Sequence, residues 1–404
     1  METNVLNPVP KKEYQRLLEL TDLNLDYSNL QEQFSDLTKL AAKVAGVEMS
    51  LINLIDSFTQ WSVANHGLPV HQMPREESVC QYTIMGDEPL EVEDLRKDER
   101  FKDKDYVIND PALRYYFGIP LKTPNGHNLG ALCVLDKMER ELTAEKVEML
   151  KIIADEVIDR LTSIRELSLL KQKLDEEVES KKKLSHDIRG PLGGIIGLAQ
   201  IIEQQGKDNN IKDILELAEM IQKGGTSLLE LADEILSEHK EKNNERVPKS
   251  YEFTLNTFKD KLLQLYTPQA TSKDIDLTIV NESKNAGIPF SKNKVLQILG
   301  NLISNAIKFT PKGGMVMVRQ EFIKDEEQNF LNFVVKDTGD GISEDKVREI
   351  MNGQAKSTNG TNGEKGYGFG LSLVMHLVEK MDGTIKITSQ KGDGCKFDIS
   401  LPIH

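Results

Sequence analysis

The stretch Ser185-His186-Asp187-Ile188-Arg189-Gly190-Pro191-Leu192 sets an imidazole directly beside a carboxylate, five residues before a proline. An imidazole attacks phosphorus only through a neutral nitrogen. Asp187 can accept the proton on the other nitrogen, fixing the tautomer and raising nucleophilicity at His186. A proline inside a helix removes a backbone hydrogen bond and kinks it, which few structural helices tolerate without reason. The plain alternative is a solvated or core histidine.

Three later stretches also carry chemistry. Gln297 to Thr310 puts Asn301, Asn305 and Lys308 on one helical face, with Leu299, Leu302, Ile303, Ala306 and Ile307 on the other. Such a polar face can hold a metal ion and a triphosphate, with Mg²⁺ keeping most of its waters. An amphipathic surface helix would account for the apolar face but not for the repeated asparagines. Val334-Val335-Lys336-Asp337 then reads as a strand ending in a carboxylate, followed by Thr338-Gly339-Asp340-Gly341. Gly339 and Gly341 let backbone approach a flat ligand, and Asp337 can accept a hydrogen bond from an exocyclic amine. Ordinary tight turns share that pattern. Last comes a glycine-rich run from Gly353 to Gly370, read as a mobile lid, in which Gly366, Gly368 and Gly370 lead into a helix over Leu371–Met381. Bare amides at a helix N-terminus form an anion site. No strand precedes this run and the chain has no G-x-x-x-x-G-K-[ST] loop, which disfavours dinucleotide and P-loop readings.

Positioning these residues takes several elements. Residues 1–19 are expected to be a tail. Mixed helices and strands follow, with strands at Val47–Ile55, Gly118–Lys122 and Leu129–Leu135 and a hairpin turn at Pro124-Asn125-Gly126. A long helical run starts at Thr143, and Leu167, Leu170, Leu174, Val178 and Leu184 give it a partial heptad seam, read as a two-stranded coiled coil. Two helices, from Lys181 to Gln204 and from Ile211 to Lys242, flank the turn Gly206-Lys207-Asp208-Asn209-Asn210. Strands and helices alternate again from Tyr251 and end in a strand at Lys396–Leu401.

At 404 residues the chain exceeds one core. Its formal charge of −14 argues against nucleic-acid binding. Cys80, Cys133 and Cys395 match no metal or disulfide spacing and fit a reduced compartment. No apolar run approaches a membrane span and the first residues lack a hydrophobic signal core, so the expected location is cytoplasmic.

In order and spacing, the His186 box, N-x-x-x-N-A-x-K-F-T, D-x-G-x-G and G-x-G-x-G-L together closely resemble the sensor histidine kinases of two-component systems. The resemblance covers Lys181 to the C-terminus and extends to Gly392-Asp393-Gly394-Cys395-Lys396-Phe397, where Cys395 replaces the more usual Thr. It implies a helical hairpin of the HisKA type, a four-helix bundle in the homodimer, followed by an α/β sandwich of the kinase/gyrase/chaperone type. His186 is then the phosphoacceptor and Asp187 its general base. Asn305 would bind Mg²⁺ beside Asn301, Lys308 would meet phosphate, and Asp337 would bind the adenine amine. Gly339, Gly341, Gly366, Gly368 and Gly370 would shape the ATP lid.

Residues from about 20 to 165 resemble a GAF sensory domain, through Ser78-Val79-Cys80-Gln81-Tyr82-Thr83-Ile84, Val92-Glu93-Asp94-Leu95, Asp98-Glu99-Arg100-Phe101, Leu113 to Leu121 and Leu129 to Asp136. Such domains bind small ligands or only their dimer partner. Trp61, Tyr82 and Phe117 are pocket or core candidates, and Cys80 reads as an inert buried thiol. The expected order is a tail over 1–19, a GAF-like α/β domain over 20–161 and a coiled-coil signalling helix over 162–184. A dimerisation and phosphotransfer hairpin over 185–245 and a catalytic ATP-binding domain over 246–404 complete the multidomain α+β chain. The implied activity is ATP-dependent autophosphorylation on histidine, with transfer to an aspartate on the receiver domain of a response regulator. The alternative is a degenerate kinase acting as a nucleotide-binding dimeric scaffold. Two departures stand out. Gly190 occupies a position where the family often has Thr or Asn to orient water for dephosphorylation. Val347-Arg348-Glu349-Ile350-Met351 lacks the family's phenylalanine.

Overall fold

A computed structural model describes residues 8–27, 30–205, 210–237, 252–283, 287–324, 328–351, 360–361 and 369–403. By packing, the chain divides into two units, Met1–Arg165 with Glu245–His404, and Glu166–Asn244. No helix among the described residues is long and apolar enough to cross a membrane.

The N-terminal domain opens with helices α1 (Glu13–Asp22) and α2 (Gln31–Ala45) and strands β1 (Met49–Ile55), β2 (Thr59–His66) and β3 (Gln72–Pro74). After them come α3 (Cys80–Thr83), β4 (Leu90–Val92), α4 (Asp105–Ile108), β5 (Tyr115–Lys122) and β6 (Asn128–Asp136). The strands form one antiparallel sheet in the order β3-β2-β1-β6-β5-β4. β1 and β6 are buried along their whole length, because both faces of the sheet are covered. Ile52, Leu54, Leu132 and Val134 pack toward α1, α2 and the start of α5 (Ala144–Gln205), whereas Leu51, Ile55 and Cys133 face Cys80, Leu95 and Phe101.

The tail assigned to residues 1–19 is corrected from Glu13 onward. Leu17 and Leu20 of α1 enter the core, and Glu13 lies buried between Arg16 and Arg75 at 2.8 and 2.5 Å. Trp61 and Phe117 belong to the core on the α1–α2 face, while Tyr82 packs against the opposite face. The three aromatics therefore share no pocket. Cys80 is buried as expected, with its Sγ 3.9 Å from that of Cys133 and 3.2 Å from Asn53 Nδ2.

In the second unit, α5 runs on through Pro191 to Gln205 and α6 spans Ile211–Ser237. Gly224 lets α6 approach α5, since a β-carbon there would lie 2.9 Å from Ile195 Cγ1. Leu167, Leu170, Leu174, Leu215 and Leu229 are all exposed by 60% or more in the single chain.

The C-terminal domain contains β7 (Glu252–Phe253), α7 (Leu255–Ser272), β8 (Asp276–Asn281), β9 (Phe290–Ser291), α8 (Lys292–Phe309), β10 (Met315–Lys324) and β11 (Asn329–Asp337). After these come α9 (Glu344–Met351), α10 (Gly370–Lys380), β12 (Thr384–Ser389) and β13 (Cys395–Ile403). Its sheet runs β12-β13-β11-β10-β8, antiparallel except for β8 with β10. Buried and more exposed residues alternate along β10 and β11, the pattern of a sheet with one covered face. That face meets the apolar sides of α7, α8 and α10. Thr254 starts α7 with a capping box closed by Thr257.

Candidate active site

Helix α8 turns its apolar residues into the sandwich, with Leu299, Leu302, Ile303 and Ile307 at most 1% exposed. The helical period then sets Asn301, Asn305 and Lys308 along another side. Asn301 and Lys308 are buried and Asn305 half-buried. Asn301 Nδ2 donates to Gln297 O at 2.9 Å, while its Oδ1 is buried with no partner among the described residues. An orphaned carbonyl oxygen in that setting costs free energy unless something binds it. The helix ends where Thr310 Oγ1 donates to Ala306 O at 2.7 Å. Lys273 Nζ donates to Lys308 O at 2.5 Å and to Thr361 Oγ1 at 2.9 Å, joining α7, the end of α8 and the glycine-rich segment.

Asp337 closes β11, as expected. Its Oδ1 accepts the N–H groups of Gly339 at 2.9 Å and Cys395 at 3.1 Å. Burial pushes its carboxyl above the usual aspartate value, against the pull of those two amides. Glycines are required around it. A β-carbon on Gly339 would fall 2.2 Å from Phe309 O, and one on Gly394, which has φ +76°, 2.1 Å from Asp337 O. Burial likewise raises the Cys395 thiol, to about 11, with the Asp337 charge adding to it. Cys395 Sγ lies 3.0 Å from Ser389 Oγ, which also accepts from Ile342 N at 2.8 Å. The residue standing in place of Thr thus supplies a backbone amide to Asp337.

Gly370 begins α10, and a β-carbon there would lie 3.0 Å from Asn301 Oδ1. The start of α10 and the polar side of α8 therefore meet. Gly366 and Gly368 lie outside the described residues, as do the side chains of His186 and Asp187, whose backbone is part of α5. Pattern reading missed the Cys395 amide and the Lys273–Thr361 clasp. It also missed Phe58, whose ring lies 5.4 Å from Lys308 Nζ.

Residues 291–404 match the family of histidine kinase-, DNA gyrase B- and HSP90-like ATPases, and residues 29–160 match the GAF domain family. The autoinducer 2 sensor kinase/phosphatase LuxQ of Vibrio parahaemolyticus is 32% identical over 228 residues, 55% of this chain and 26% of that protein. The cyclic di-GMP phosphodiesterase PA2567 of Pseudomonas aeruginosa is 37% identical over 159 residues, 39% of this chain and 27% of that one. Among solved structures, the catalytic domain of histidine kinase ThkA is 23% identical with a TM-score of 0.31, over 37% of this chain and 93% of that chain. The chain spans about a quarter of the length of the curated relatives it matches. The chain thus joins a segment that matches the GAF family to one that matches the histidine kinase-, DNA gyrase B- and HSP90-like ATPases.

Proposed function

We propose that this chain is an ATP-dependent protein-histidine kinase whose nucleophile is His186. A ring nitrogen of His186 forms a bond to the γ-phosphorus as the bond from phosphorus to the ADP oxygen breaks, and Asp187 takes the imidazole proton. The phosphoryl group then passes to an aspartate of a response regulator, the nitrogen–phosphorus bond breaking as an acyl phosphate forms. The observation that carries this reading is the buried, unpartnered Oδ1 of Asn301 facing the glycine start of α10, in a domain whose Asp337 carboxylate is held on one oxygen by two amides.

In this reading Asp337 accepts the adenine amine, with Gly339 and Gly341 forming the wall. Lys308 meets phosphate, and Gly366, Gly368 and Gly370 close the lid. Asn305, beside Asn301, offers an amide oxygen, a hard donor of the kind Mg²⁺ takes, and the ion would supply neutralisation of phosphate charge. The exposed leucines of α5 and α6 support a homodimer, and the GAF domain is the candidate seat of a small ligand. Incubation with γ-labelled ATP and Mg²⁺ is expected to leave acid-labile, base-stable label on the chain. His186→Gln removes that label and keeps ATP binding. Label at wild-type level in the variant defeats the assignment.

A further inference from the structure

The β1–β2 hairpin closes on Asp56-Ser57-Phe58-Thr59, with Asp56 N–H donating to Thr59 O at 2.9 Å. Turns are normally built from small polar residues, yet this one carries a phenylalanine. Phe58 is half-buried, and what it lies against is the site just described. Besides approaching Lys308, its ring stands 2.5 Å from where a β-carbon of Gly370 would be, on the side where Asn301 Oδ1 also lies. Phe309 flanks the same ammonium at 5.3 Å, so Lys308 sits over two aromatic rings. Cation–π attraction draws the ammonium toward both rings.

A belt of contacts from outside the hairpin ties the N-terminal domain to the same face. Gln72 Nε2 donates to Leu265 O at 2.8 Å, and Asn293 Nδ2 donates to Asn24 O at 2.6 Å. Asp26 pairs with Lys261 at 3.4 Å and Lys292 at 3.5 Å, all three side chains under 20% exposed. Trp61, the chain's one tryptophan, stacks on Tyr27 at 5.7 Å and lines the cleft shared with Tyr266, Gln297 and Asn301.

We infer that the β1–β2 hairpin of the GAF domain is a built-in competitor of nucleotide, with Phe58 covering Lys308, Asn301 and the start of α10. A phosphate chain and a phenyl ring cannot share that ground. Nucleotide binds only after the hairpin withdraws, and its apparent affinity is reduced by the fraction of molecules already open. The inference rests on reading Asp337, the polar side of α8 and the start of α10 as the nucleotide site.

The test titrates the full chain with ATP and Mg²⁺ by calorimetry and follows tryptophan emission in parallel. Phe58→Ala and Asp26→Lys are each expected to bind about tenfold more tightly than wild type, because the docked state no longer competes. Wild-type Trp61 emission shifts to the red as nucleotide saturates. Asp26→Lys acts from outside the hairpin, so it carries the test if Phe58→Ala folds poorly. Equal affinity in all three proteins, or flat emission through saturation, overturns the inference. If Asp337→Asn binds ATP as wild type does, or if wild type and both released variants bind none, the reading of these residues as the nucleotide site fails and the inference falls with it.

Discussion

A carboxylate with one oxygen committed to two backbone amides keeps the other oriented, as at Asp337. Asparagine there can preserve the pinned acceptor and turn the second position from acceptor to donor. Asp337→Asn is therefore expected to cost about 1.5–3 kcal/mol of nucleotide binding, roughly one to two decades in affinity by calorimetry. Gly394→Ala adds a β-carbon 2.1 Å from Asp337 O at positive φ, and should destabilise the fold by more than about 1 kcal/mol in denaturant titration. Gly190 has no side chain to align a water, so the chain should be a weak phosphatase toward a phosphorylated regulator. Gly190→Thr should speed decay of that regulator's phosphate, and rapid decay with the wild type would assign the water to another residue. The placing of Asn301, Asn305 and Lys308 along one side of α8, and of Asp337 at the end of β11, was legible because helical period and strand pattern fix it. The Cys395 contribution was not, because a backbone N–H leaves no mark on residue type. Phe58 was hidden because its contact joins residues 250 positions apart.

Among the elements, the hairpin β5–β6, the polar-faced helix α8 and the strand ending at Asp337 followed from period and turn chemistry. Helix α1 did not. Its first residues were expected to be a tail, and only the fold brings Arg75 to Glu13 and Arg16. The strands β2 and β3 were also missed, since mixed polar and apolar residues there give no clean alternation. Burial pushes the Glu13 carboxyl up, but the Arg16 and Arg75 guanidinium groups pull it below its ordinary 4.5. A lowered carboxylate stabilises the fold above its unfolded value and loses that contribution as pH falls through its folded value. Urea midpoints should therefore fall on acidification below the ordinary glutamate range, and Glu13→Gln should flatten that fall. At neutral pH the variant is expected to lose about 3–5 kcal/mol, since it leaves buried guanidinium groups uncompensated.

For the whole molecule, five leucines of α5 and α6 are 60–69% exposed in the single chain, apolar surface that a second copy would cover. Light scattering at micromolar concentration is expected to report a dimer. Leu170→Glu with Leu174→Glu should weaken it by placing charge on the seam. A monomeric wild type would refute the dimer. That a GAF match precedes the ATPase match was readable from the motifs. The packing of the GAF domain against the ATPase domain was not, because no local pattern encodes which surfaces of two domains meet.

That packing has a thermodynamic corollary through Phe58. If one site opens only when another element withdraws, the coupling is reciprocal. An effector that loosens the hairpin and strengthens nucleotide binding by some factor is itself bound more strongly, by that same factor, once nucleotide is present. On the proposed docking, the N-terminal half would then be tuned by the nucleotide supply, and the chain would weigh two inputs. An effector affinity measured without nucleotide would understate what the GAF domain detects at working nucleotide concentrations.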